Sequence, residues 1–376
     1  MAVRVPIEGP TLEWAREALH LDRDEVGRAA GVSAERIGEF ETGDTKPTIV
    51  QLRKIAHKLD RPLAYFFTPI PDVSDVPETA DFRARAGDEL PPKLLREMKR
   101  ADAQRATMLD LVGASVDQLD LGAVDWNNVE SRASELRALF GLSETFRPPE
   151  NREGEVFKFW RGLLEANGVL VFQTTGVPLS AFRGLSISHD VLPIILLNGA
   201  DSNNGKTFTL FHEIAHLANR TSGVCVLSED VREEALCNAF AADTLMPKDA
   251  VTAVVRSIKD RVQWPAAIAL RFRVSDLAAG VRLKTLGFIS DEELLRIREE
   301  SDARWDRVRQ LQRDDDSSFV PPWRLRYRDL GPSYMRAVFT ALDADRINYL
   351  DASYLLNARL PTLTQMQSEF YRTGGK

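Results

Sequence analysis

Three changes of rhythm in the apolar positions divide this chain. From residue 11 to 68 the pattern is that of short helices. Leu12, Trp14, Ala15 and Leu19 recur at helical spacing, and Val26, Ala29 and Ala30 continue it after Leu21. Gly31-Val32-Ser33 reads as a turn, with Ser33 placed to cap the helix AERIGEFE. TGDTKP at 42–47 reads as a loop, and IVQLRKIAHKL at 49–59 as a further amphipathic helix. PIPDVSDVPE, at 69–78, is proline-rich and polar, the composition of a linker. A long helix is expected to begin at the prolines 91 and 92, and another over 129–140.

Near residue 154 the pattern changes. VFKFWRGLLEANG ends a helix at Gly168, and the β-branched run VLVFQTT follows. LSISHD and VLPIILLNG predict two more strands joined by a turn. The apolar run around TLFHEIAHLANR (209–220) predicts a helix, and VREEALCNAFAADTLMP predicts another, stopped by Pro247. Beyond residue 250 the chain reads as helical except for DDDSSFVPP at 314–322, a charged linker ending in prolines. These breaks suggest four regions: 1–70, 71–150, 151–300 and 301–376.

Size and composition add limits. A chain of 376 residues, 44% of them hydrophobic, can form two or three domains around sizeable cores. No run of 18 apolar residues is present, and MAVRVPIEGP has no apolar region of the signal-peptide kind, so neither membrane nor secretion is expected. Cys225 and Cys237 are too few for a disulfide framework. A cytoplasmic location is the expectation. The net charge of −7 gives no general attraction for nucleic acid, so any DNA contact must come from a local surface.

The candidate chemistry lies in HEIAH. Residues four apart on a helix share a face, so His212 and His216 can grip one Zn2+. Glu213 is then placed to hold a water and take its proton. Only 5 histidines occur in the chain, which makes two within one such motif a strong signal. A catalytic zinc needs a third protein ligand. The following segment offers Glu229, Asp230, Glu233, Glu234 and Asp243. Leu236, Phe240 and Leu245 read as core, and Glu234 shares a face with Asn238. Glu234 is the first choice of ligand and Glu233 the second. Glu229 and Asp230 fit a solvated acidic helix start. For an oxyanion stabiliser the core offers His189, Arg183 or a backbone amide, since all six tyrosines lie outside 150–300.

RGLSISHDVLPIILLNGADSNNGKTFTLFHEIAHL, with EALCNAFAADTLMP behind it, resembles the ImmA/IrrE family of zinc metallopeptidases over residues 154 to about 250. That resemblance implies His212, His216 and Glu234 as ligands and Glu213 as general base. Cys237 stands where the family usually has alanine, a change expected to leave the ligands untouched. The resemblance also implies that the strand GLSIS, through Leu185, Ser186 and Ile187, pairs with an extended substrate; the alternative is a plain sheet strand.

LDRDEVGRAAGVSAERIGEFETGDTKPTIVQLRKIAHKL resembles the helix-turn-helix of the XRE (Cro/repressor-type) family. Its reading helix would be SAERIGEF, where Arg36 stands beside Glu35, Glu39 and Glu41. Residues 1–61 hold 10 Lys and Arg against 11 Asp and Glu, a balance that predicts weak DNA affinity at physiological salt. Arg36, Lys46 and Arg53 are the DNA-binding candidates, with Lys54 and Lys58 beside them; docking onto a partner protein is the competing role. FRVSDLAAGVRLKTLGFIS at 272–290 has a second helix-turn-helix rhythm and is expected to be a packing element. The tail at 323–376 is expected to be helical, its Tyr and Leu residues mainly core, with Tyr349, Tyr354 and Leu355 as an alternative docking set.

The expected fold is α+β and predominantly α-helical: a five-helix N-terminal helix-turn-helix domain, a zincin-like core with a small sheet and the HExxH helix, and a helical C-terminal region. The expected function is a zinc-dependent peptidase that cleaves a repressor or antitoxin-like protein. The alternative is a DNA-binding regulator or antitoxin, acting by binding alone, whose zinc site is structural or idle. A co-encoded toxin, operator DNA and a homodimer are the other partners weighed.

Overall fold

The computed structural model describes residues 4–372, apart from 18, 20, 60, 62, 70–89, 114–118, 144, 145, 150–152, 221–230 and 315–319. The expected linker at 69–78 therefore lies almost wholly outside the described residues. The chain divides into two compact units, Met1–Ala103 and Gln104–Lys376. Among the described residues no helix is long and apolar enough to cross a membrane.

The first unit is built on α1 (Gly9–Glu17), α2 (Arg23–Ala30), α3 (Ala34–Thr42) and α4 (Ile49–Lys58). The fifth helix of the expected set is a single 3-10 turn, Leu63–Phe67. Local chemistry sets the boundaries. Asp22 and Glu25 form a capping box at the start of α2, and Gly31 ends that helix at φ 76°. Ser33 caps α3 by accepting from the Arg36 amide, as its position predicts. Gly27 is required by closeness: a Cβ there would come 2.7 Å from the Val32 carbonyl oxygen, where the turn folds back on α2. Leu12, Val26, Ile37, Phe40, Leu52 and Ile55 close the core.

The long helix α5 (Pro92–Val112) starts at the predicted prolines. In the second unit, α6 (Val129–Leu139) and α7 (Glu153–Ala166) precede a three-stranded sheet. Its strands are β1 (Leu170–Thr174), β2 (Gly184–Ile187) and β3 (Ile194–Asn198), in the order β1-β3-β2. β1 runs parallel to β3 and β2 antiparallel to it, with Leu185 opposite Leu196 and Ile187 opposite Ile194. β2 is an edge strand among the described residues.

Then come α8 (Asn203–Ala218), which carries HEIAH, and α9 (Val231–Leu245). α8 is buried all round, which fits its apolar surroundings. Trp160 of α7 meets Phe211 edge to face, while α9 and β2 cover other faces. α10 (Lys248–Ser257), α11 (Trp264–Phe272) and α12 (Asp276–Thr285) follow. The buried Arg282 of α12 donates to the Met246 carbonyl at 3.0 Å and pairs with Asp243. This is the packing role expected for the second helix-turn-helix rhythm.

α13 (Asp291–Asp314) and α14 (Pro322–Leu330) narrow the expected linker at 314–322, whose residues 315–319 lie outside the described ones. The chain ends in α15 (Pro332–Asp343), α16 (Tyr349–Leu355) and α17 (Leu360–Arg372). One buried ion pair ties this end to the sheet: Arg161 donates to Glu165 at 2.7 Å and to the Arg328 carbonyl at 2.7 Å, and bonds the Val171 carbonyl. Tyr334, Met335 and Phe339 are core, as expected of the tail. Tyr349 and Tyr354 are not: at 54% and 73% exposed they sit on the surface, because α16 is short and turns only Ala352 fully inward.

Candidate metal centre

Two faces of α8 do different work. Thr209 and Glu213, four apart, face β2: a Cβ on Gly184 would overlap Thr209 Cγ2 and lie 3.1 Å from Glu213 Oε1. His212 and His216, also four apart, face α9. His212 Nδ1 lies 3.0 Å from Asn238 Oδ1, and His216 Nδ1 lies 3.5 Å from Glu233 Oε1. His212 is thus hydrogen-bonded at Nδ1 to Asn238 of α9, His216 faces Glu233 of the same helix at ion-pair distance, and the two Nε2 atoms share one space.

In that space the two Nε2 atoms are 3.2 Å apart. Glu234 stands over them, Oε2 at 3.2 Å from His212 Nε2 and Oε1 at 3.4 Å from His216 Nε2. Donors each about 2.0–2.1 Å from a tetrahedral zinc would stand about 3.3 Å from one another. The donor set therefore fits zinc in both chemistry and spacing. The structure also separates the two glutamates that the sequence left as alternatives: Glu234 lies on the Nε2 side, Glu233 on the Nδ1 side.

His212, Glu213 and His216 are buried. Charge follows from that burial. Desolvation pulls His216 down, but hydrogen bonds with Cys237 and Glu234 and the charge of Glu213 outweigh it and hold the imidazole well above its usual range. Burial raises Glu234, yet His212 and His216 bring it well below the usual carboxylate range. The site is thus organised around positive charge, and a divalent cation meets the same demand as a proton.

The structure adds one residue that sequence reasoning set aside. Cys237 is fully buried, and a ligand atom from each of His212, His216 and Cys237 falls within 4.8 Å of the other two. Its spacing was the available signal, because it stands three residues after Glu234 on the same helix. Asp243, another acidic candidate, belongs to Arg282 instead, and Glu229 and Asp230 lie outside the described residues. Arg183 is exposed and pairs with Asp201 at 3.2 Å; His189 sits half-buried after β2.

On the N-terminal unit, Arg36 is exposed and bound to Glu39 at 2.5 Å, while Lys46 and Arg53 are exposed. Glu41 is turned inside, where it accepts from Arg16 Nε at 2.6 Å and Arg23 Nε at 2.7 Å. The reading helix therefore shows less negative charge than its sequence suggests.

A helix-turn-helix unit and a buried His-Glu-His helix define a regulator with a peptidase-type core. Residues 165–284 match the family model of the IrrE N-terminal-like domain, peptidase M78, and residues 12–66 match a helix-turn-helix family model. The chain thus combines an ImmA/IrrE-type domain with an XRE-type head. A comparison with curated proteins gives no match. Among solved structures, Bacillus thuringiensis PlcR in complex with the peptide PapR7 and DNA aligns over 99% of this chain and 100% of that one. Its identity is 11% and its TM-score 0.16, a likeness on which no argument rests.

Proposed function

We propose that this chain is a zinc-dependent peptidase that cleaves one specific protein, a repressor or antitoxin, under the control of its helix-turn-helix head. The observation that carries the reading is Glu213. A structural metal site needs no base beside its ligands, yet here a fully buried carboxylate is wedged between the His212 turn and Gly184 of the edge strand. His212, His216 and Glu234 would hold the ion, and a bound zinc supplies Lewis acidity for attack on a peptide carbonyl. Glu213 holds the attacking water, takes its proton and delivers it to the leaving nitrogen. Among the described residues β2 has one ladder partner, β3; Leu185, Ser186 and Ile187 are themselves fully buried, so an extended substrate segment would pair there only after the covering chain moves aside.

The head supplies address rather than chemistry. With Glu41 neutralised internally, the exposed Lys46, Arg53 and Lys54 are cations open to phosphate, while Arg36 is shared with Glu39. This favours an operator contact as the second role of the head, and pure binding as the alternative function of the whole chain.

The test is zinc content together with cleavage of the co-encoded protein, for wild type and Glu213→Gln. The peptidase reading expects both to hold about one zinc and only wild type to cut. If both hold zinc, neither cuts, and both bind the neighbour or its operator equally, the chain acts by binding.

A further inference from the structure

Cys237 follows Glu234 by three residues on α9, so both belong to the helix face turned toward α8. A free buried cysteine commonly serves as a small apolar filler, and Cys237 does border the core that holds Phe211 and Phe240. Its other neighbours set it apart. The ligand atoms of His212, His216 and Cys237 lie within 4.8 Å of one another. Alanine would fill the same apolar space and offer no donor.

Resting on the metal-dependent reading above, we infer that Cys237 is itself a metal ligand, and that the resting site is closed by two imidazoles, the Glu234 carboxylate and the Cys237 thiolate. Thiolate and imidazole together suit zinc. On binding, the thiol gives its proton to solvent as the metal–sulfur bond forms. Four protein donors complete a tetrahedral zinc, the arrangement of structural sites, whereas catalytic sites keep one position open. The resting protein is therefore slowed, not idle: water gains access only in the fraction of molecules in which Cys237 has withdrawn, so wild type cuts slowly. Removal of the thiol opens the site: Cys237→Ala is expected to cut faster than wild type.

Cobalt(II) reports the ligand directly, without any substrate. The full-length protein, stripped of metal and loaded with equimolar cobalt(II), is compared with Cys237→Ser and Cys237→Ala. Wild type should show an intense sulfur-to-cobalt charge-transfer band in the near ultraviolet. Both variants should lose that band and keep the visible d–d bands, which also shows that the site has folded. Visible bands without the charge-transfer band in wild type, or a charge-transfer band that survives in Cys237→Ser, overturn the thiolate assignment alone. A wild-type protein that takes up no cobalt overturns both this assignment and the metal-dependent reading.

Discussion

Gly184 and Glu213 are packed so closely that a single methyl group on the strand would stand 3.1 Å from the carboxylate oxygen. The same methyl would overlap Thr209 Cγ2, one helical turn earlier on α8. Edge strand and Glu213 carboxylate are thus fitted to each other, and the fit depends on the absence of a side chain.

Gly184→Ala should therefore harm the protein in two ways. Overpacking of this kind costs about 1–3 kcal/mol, which urea denaturation would register. The displaced Glu213 would also lower turnover in protein that remains folded. A variant as stable and as active as wild type would mean that strand and helix separate freely, against the packing seen here.

Asn238 acts at one remove. With a proton on Nδ1, His212 donates to Asn238 Oδ1 across 3.0 Å and leaves Nε2 available. Asn238 is exposed, so Asn238→Ala should fold normally. Loss of such a partner weakens metal binding about 10–100-fold, a change that competition with a chromogenic chelator would measure. Unchanged zinc affinity would show that α9 orients His212 by packing alone.

Much of this arrangement is legible in the sequence, for reasons that are local. Ser33, Gly31 and the prolines at 91 and 92 mark helix ends by chemistry within a few residues, and the structure places the ends there. The spacing of His212 and His216 fixes a shared face once α8 is helical. What escapes is set by distant contacts. The reading-helix Glu41 counts as surface charge until Arg16 and Arg23, 25 and 18 residues away, are seen to enclose it. Cys237 reads as an alanine equivalent until α9 lies against α8. Tyr349 and Tyr354 have core-like spacing, but α16 is too short to bury them.

The enclosure of Glu41 has its own consequence. Arg16 is 8% exposed and donates to Glu41, to the Leu21 carbonyl and, at 3.4 Å, to Glu17, so removing the Glu41 carboxylate takes its nearest and most buried counter-charge from a buried guanidinium. Breaking a buried pair in this way costs about 3–5 kcal/mol, and Glu41→Ala should destabilise the helix-turn-helix unit by that order. Glu35 is exposed in the first turn of α3, where Ser33 and its own amide hold its carboxylate below the usual range, so Glu35→Gln should cost little stability while strengthening duplex DNA binding at low salt. Thermal melts and salt-dependent DNA titrations separate the two. If Glu41→Ala melts like wild type, Arg16 finds its compensation elsewhere.

Lys206, in the first turn of α8, is buried at 5% exposure with Nζ 3.1 Å from Gln173 Oε1 and 4.9 Å from the Phe157 ring. Burial first, and then the charge of Arg328, bring its pKa down from 10.5 to about 8, although Asp201 pulls the other way. The sign follows from proton counting. Below about pH 8 the lysine is charged in both folded and unfolded chains, and the folded state bears the full cost of burying that charge. Between about 8 and 10.5 the unfolded chain keeps the proton and the folded one does not, so stability rises with pH. One proton allows a slope of at most about 1.4 kcal/mol per pH unit. Lys206→Met removes this dependence while filling similar space. The stability of the variant relative to wild type should therefore be greatest at neutral pH and decline across that window, whatever constant offset the lost contacts add. Denaturation curves for both proteins at several pH values between 7 and 10.5 measure the difference. A difference that stays flat would show that Lys206 keeps its charge in the fold.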